Sequence, residues 1–273
     1  MTWSDVVRRD MRSAYRSRAA PTVAVLLLLA SVGVAVGIVV ISATRPDNSA
    51  GSVVLGSVLS FVVPVVALVG TYGAIVGERT TGSVRFLLGL PNSRADAYLG
   101  KYVARSLVVL VPLLVGTLAA AAVVAFGYRD GSFLDTMVLG LAGIPFALVF
   151  VGVGLTCSAI ADSDTRAVAA AIGAFILFRV GWPALQFVLL SRLDDQYPRP
   201  EWYFELGRIN PINAYVAVTA APTNVEFHPL LTRPGPNVDS VVVEPWFGAA
   251  VLLGWALLAP VGGYLYWRQR DVL

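Results

Sequence analysis

The chain has 273 residues, of which 57% are hydrophobic and 14% charged, with a formal net charge of +3. Ordinary globular domains carry about 45–50% apolar and about 25% charged residues, so this balance excludes a typical soluble domain, a disordered chain and a nucleic-acid-binding tail. One cysteine (Cys157) and one histidine (His228) exclude a disulfide framework and paired-histidine zinc motifs, which leaves a polytopic membrane protein.

In chain order, residues 1–19 come first and read as an amphipathic helix, with Thr2 and Asp5 at its start. Trp3, Val6, Val7, Met11, Ala14 and Tyr15 recur at helical spacing, and Arg8, Arg9, Arg12 and Arg16 fall on the other side. This pattern suits a helix lying on the cytoplasmic leaflet with its arginines near lipid phosphates. It suits a partner-docking surface equally well.

A bilayer core of about 30 Å needs about 20 apolar residues per helix. Six stretches qualify: 21–43, 53–77, 102–126, 134–160, 167–190 and 246–267. The first follows an arginine-rich segment and so resembles a secretory signal. It is longer than the roughly 7–15 residues of a signal core, and it reads as a retained helix. If the N-terminus is cytoplasmic, thirteen basic residues lie inside and six outside, with Arg179 within a span. The positive-inside rule then places both termini in the cytoplasm.

Residues 78–101 are too long for a plain connector, which normally takes roughly 2–8 residues. Val84, Leu87 and Leu88 make one face of a short helix, and Gly89-Leu90-Pro91 ends it. Ser93 with Asp96 three residues later starts the helix that runs into the third span. The expectation is a helical hairpin at the cytoplasmic surface.

The loop 191–245 contains an apolar run, 209–221, too short to span and expected to be re-entrant or interfacial. Arg179 lies near the middle of the fifth span, with Trp182-Pro183 expected to kink the helix beyond it. An intramembrane arginine turns to the bundle interior or to water. It marks a transport path or an interface, or it is a structural arginine bonded to a kinked neighbour. Gly33 with Gly37, and Gly73 with Gly77, form G-x-x-x-G pairs expected at close helix contacts. Cys157 reads as a buried small hydrophobe. His228 beside Glu226 falls short of a metal site, and none is assigned.

Glu78, Arg79 and Gly82 closing the second span, Leu87 and Leu88, then Pro91, Ser93, Arg94, Gly100 and Lys101 together resemble the ABC-2 type transporter permeases. The N-terminal helix and the run Asn210, Pro211, Ala214 and Tyr215 are similar to the same family. Within it the likeness is to permeases of nitrous oxide reductase maturation and their haloarchaeal relatives. Thr80 and Thr81 stand where that family carries acidic or bulky residues.

The resemblance implies an all-α fold of one domain over 1–273, with six transmembrane helices and an amphipathic interfacial helix. It implies a coupling hairpin between helices 2 and 3. It also implies a second permease copy and a separate ABC ATP-binding subunit that holds ATP and magnesium. Residues expected at the coupling surface are Glu78, Arg79, Gly82, Arg85, Leu87, Leu88, Pro91, Arg94 and Lys101. Membrane lipids and an extracellular accessory protein complete the expected partners, with no nucleic acid and no cofactor on this chain.

No phosphate-binding loop is present, because Ala95 and Tyr102 replace the first glycine and the final hydroxyl of G-x-x-x-x-G-K-[ST] around Gly100-Lys101. A secondary transporter or channel-like protein is the alternative. Matching repeats with broken helices and intramembrane carboxylates would mark it, and neither is visible. An intramembrane enzyme would need paired catalytic groups that this sequence lacks.

Overall fold

The computed structural model describes residues 3–80, 93–193, 199–220 and 241–269. The expectations on Thr2, Gly82, Val84, Arg85, Leu87, Leu88, Pro91 and His228, and on the side chain of Arg79, lie outside the described residues. Helices are α1 (Trp3–Arg16), α2 (Ala19–Ile41), α3 (Asn48–Thr71), α4 (Val76–Thr80) and α5 (Arg94–Gly127). They continue as α6 (Phe133–Ile160), α7 (Asp164–Leu190), α8 (Glu201–Ile209), α9 (Pro211–Ala220) and α10 (Pro245–Gln269). Among the described residues there is no strand, only an isolated bridge between Asp47 and Arg129.

Six helices are long and apolar enough to cross a membrane, in agreement with the sequence: α2, Gly51–Glu78, α5, α6, α7 and α10. Local chemistry sets their starts. The Asp47 side chain accepts from the Ser49 amide at the head of α3, and Ser132 accepts from the Asp135 amide at the head of α6. Ser93 and Asp96 form the reciprocal capping box expected from their spacing.

With 34 residues, α5 is about 51 Å long at 1.5 Å per residue, well beyond a bilayer core of about 30 Å. Its first turns lie at the end of the bundle where α10 ends and α1 lies. There α1 packs along α5. A Cβ on Gly100 would come within 2.6 Å of Val6 Cβ and 2.8 Å of the Trp3 carbonyl, so only glycine admits this approach.

The bundle is built around α6, whose most apolar stretch is two-thirds buried; α3, α5 and α10 pack against it. Phe146, Phe150 and Leu155 are fully buried there. The α7 helix is peripheral, with Ile172, Ile176, Leu177, Val180, Leu185 and Phe187 exposed. The α9 helix turns into the bundle: Tyr215 is fully buried, stacks on Phe146 at 4.4 Å, and donates to the Leu139 carbonyl at 3.2 Å. The short helix expected before the last span is thus buried among α6 and α10, preceded by α8, which the apolar pattern did not announce.

Two expectations change. Gly37 and Gly73 meet nothing within 4 Å, Gly33 meets only Leu29 of its own helix, and Gly77 only the end of Asp164. Close backbone approach is found instead at Gly100 and at Gly152, which faces Pro260. Second, the irregular turn of α7 is the π-turn Leu177–Gly181, upstream of Pro183. Proline has no N–H, so the turn before it widens around Arg179.

Candidate functional site: a buried charge junction and a lone arginine

The second span does not run straight into α4. The Ala74 amide bonds to the Thr71 carbonyl at 3.0 Å, which leaves the Gly70 carbonyl without its α-helical partner. Side chains from two other helices fill the break. Arg105 Nη1 donates to the Gly70 carbonyl at 2.9 Å and Lys101 Nζ to the Ala74 carbonyl at 2.8 Å, both from α5. Ser158 Oγ on α6 accepts from the Ile75 and Val76 amides at 2.9 and 3.1 Å. A helix broken where it is buried against its neighbours needs such substitutes, because buried backbone groups must be paired.

The same two cations hold α1. Asp10 is 5% exposed and pairs with Arg105 at 2.7 Å and with Lys101 at 3.5 Å. Lys101, 2% exposed, also pairs with Glu78 at 2.9 Å, and Glu78 reaches Arg9 at 3.5 Å. Three cations and two carboxylates from α1, α4 and α5 thus form one network. Burying such charges is costly, and removing one partner typically costs about 3–5 kcal/mol by stranding another. The junction therefore fixes how α1, α4 and α5 sit relative to one another. A cavity of about 510 Å³ lies beside it, lined by Arg9, Asp10, Ser17, Gly73, Glu78 and Arg105 among others.

The sequence-predicted coupling residues divide here. Glu78 and Lys101 meet in the junction, and the Lys101 ammonium faces inward, with no outer surface to offer. Arg94 Nη1 donates to the Arg268 carbonyl at 2.8 Å, tying the start of α5 to the end of α10. Asp10 and Arg105, central to the network, were not among the predicted site residues. Asp10 falls with Val6 and Ala14 at i, i+4 and i+8, and these three form the buried face of α1. A carboxylate in register with two apolar residues was the available signal.

The predicted apolar stripe of α1 is split accordingly. Val6 and Ala14 face the bundle, while Trp3, Met11 and Tyr15 are exposed, Tyr15 at 73%. Arg8, Arg9, Arg12 and Arg16 line an open hollow of about 740 Å³ with Ser13 and Ser17. A left-handed Arg18 (φ 62°) then turns the chain from α1 into α2.

Arg179 is placed differently. It stands in the π-turn of α7, partly exposed, with Nη1 3.4 Å from Ser60 Oγ and its guanidinium 5.6 Å from the centre of the Phe61 ring. Among the described residues no carboxylate pairs with it. The turn itself is held from outside the span. Asn210, fully buried between α8 and α9, donates to the Phe178 carbonyl at 2.7 Å and accepts from the Ile212 amide at 2.8 Å. Trp182 Nε1 and Gln186 Nε2 donate to the Leu206 and Tyr203 carbonyls, each at 2.8 Å. Burial pulls the Arg208 guanidinium of α8 below its ordinary value. No group of three or more potential metal-ligating side chains occurs among the described residues.

The family model of ABC-2 family transporter proteins matches residues 5–272. The chain is 26% identical over 231 residues to a Stutzerimonas stutzeri protein named "Probable ABC transporter permease protein NosY", covering 77% of this chain and 78% of that one. It is 27% identical over 238 residues to a Pseudomonas aeruginosa protein of the same name, covering 79% and 80%.

Proposed function

The chain belongs to the ABC-2 transporter family, and from that premise we propose that it is the permease through which ATP hydrolysis on a separate subunit drives export across the cell membrane. It is a multi-pass ABC transporter membrane subunit, and the family implies an ATP-binding partner. The finer reading is that the partner docks at the α1 end of the bundle, on the coupling region 78–101. Both termini are then cytoplasmic, as the basic residues of α1 and of 78–101 favour.

The observation that carries this reading is the charge junction. Residues 81–92 are bounded on one side by α4 and on the other by the start of α5. Lys101 joins these two to each other through Glu78, and joins both to α1 through Asp10. A push received between α4 and α5 is therefore delivered to the second and third spans and to α1 as one body. ATP and magnesium belong to the partner and this chain binds no cofactor, consistent with its lack of a phosphate loop. The exposed apolar side of α7 is offered to a second permease copy. Trp3, Met11 and Tyr15 enter the leaflet, with Arg8, Arg9, Arg12 and Arg16 near lipid phosphates.

Replacing Arg85, Leu87 and Leu88 together with alanine tests the reading. Loss of the ATP-binding subunit from the purified complex, and of permease-dependent ATP turnover, is expected. Unchanged association and turnover would refute coupling through this segment.

A further inference from the structure

We propose that Arg179 recognises the anionic group of an amphiphilic ligand, with Ser57 and Ser60 completing the polar site and Phe61 and Phe175 forming its apolar wall. The proposal rests on the permease reading insofar as the ligand is cargo.

Depth comes first. Arg179 is eleven residues from Leu190 at the end of α7, and Ser60 twelve from Asn48 at the start of α3. Both therefore lie roughly 17 Å along their helices from the same end of the bundle, near the middle of a bilayer core of about 30 Å. An arginine at mid-helix is costly to insert, and such residues pair with one another or line a polar path.

The second point is what the guanidinium lacks. It has five donor hydrogens. Among the described residues its one hydrogen bond is the long contact to Ser60 Oγ. The Ser60 hydroxyl proton is already directed to the Ser57 carbonyl at 2.7 Å, so its oxygen is left to accept. Ser57 Oγ, one turn away on α3, is buried and has no partner among the described residues. Arginine N–H groups and a serine O–H are all donors, which leaves a site short of an acceptor. A carboxylate, sulfonate or phosphate supplies the charge and the lone pairs together.

The surroundings fix the rest of the ligand. Phe61 packs edge-to-face on Phe175 at 5.3 Å beside the guanidinium, and Phe61 is 47% exposed. A small hydrated anion gains nothing from such walls, whereas an anion carrying an apolar body fills them.

Preorganisation is the third point. The π-turn that carries Arg179 is held by Asn210 through the Phe178 carbonyl, and Trp182 and Gln186 fasten the next turns to α8. The backbone under the guanidinium is thus set by α8 and α9, independently of whatever the guanidinium binds.

The test uses the full-length permease in zwitterionic phosphatidylcholine nanodiscs. Three dansyl-labelled undecyl probes, a carboxylate, its neutral amide and a quaternary ammonium, are titrated by fluorescence anisotropy. The carboxylate should bind at least tenfold tighter than the amide, and the ammonium weakest. Arg179→Gln should erase that preference, Arg179→Lys should keep part of it, and Ser57→Ala should reduce it a few-fold. Equal affinity for carboxylate and amide in the native protein would overturn the proposal. So would a preference that survives Arg179→Gln, or loss of self-association in that variant as its sole effect, which would make the arginine an interface group. Binding of the ATP-binding subunit is measured on the same samples. If it fails while the anion preference holds, the permease reading falls and the site stands; the reverse removes the site alone.

Discussion

Two charged regions of this membrane protein follow opposite rules. At the α1 end, Asp10, Glu78, Lys101 and Arg105 are packed against one another and against free backbone carbonyls, and Lys101 alone engages two carboxylates and a carbonyl. In mid-membrane, Arg179 has, among the described residues, one long contact with a serine and lies over the Phe61 ring. In the first region each charge is answered by a neighbour, so the group acts as a strut. The second region holds a charge that the described fold leaves largely unanswered. Burial alone does not separate structural from ligand-binding charges in such a chain; the number of partners does.

The comparison is most exposed at the junction. Lys101→Met removes the closest cation from Glu78 and one of two from Asp10, and leaves the Ala74 carbonyl without its donor, so about 3–5 kcal/mol of stability should be lost. Thermal unfolding in detergent measures this. Adding Glu78→Gln to Lys101→Met should recover part of the loss, because a neutral amide is cheaper to bury than a carboxylate left with only the more distant Arg9, while Asp10 keeps Arg105. A loss below about 1 kcal/mol for Lys101→Met would make the network ornamental. At the other extreme, Arg179→Met should change the unfolding free energy by no more than about 0.5 kcal/mol in either direction, since it strands no buried partner charge. A loss comparable to that of Lys101→Met would show that Arg179 too is a strut, and the contrast would collapse.

Local features were legible in the sequence because local physics fixes them. The six apolar runs, the Ser93–Asp96 box and the short apolar segment before the last span all appear in place. What was missed depends on residues distant in sequence. Asp10 reads as one acid among arginines until α1 folds onto α5, where it meets Arg105 ninety-five residues away. Lys101 reads as a surface cation because Gly73, in the break at Tyr72–Ile75, does not show which helix will send a side chain to fill it. Asn210 was recognised from its sequence context, but its bond to the Phe178 carbonyl exists only once α8 and α9 lie against α7. The irregularity near Arg179 was foreseen, though one turn away from where the helix widens.

The claim that the α1 end receives the ATP-binding subunit is tested most directly by site-specific photocross-linking in native membranes. A photoreactive residue is placed at Leu87, between α4 and α5, and in a separate variant at Arg129, at the opposite end beyond α5. The account predicts a cross-link to the ATP-binding subunit from position 87, altered by nucleotide, and none from position 129. No cross-link from 87, or one from 129, would contradict it.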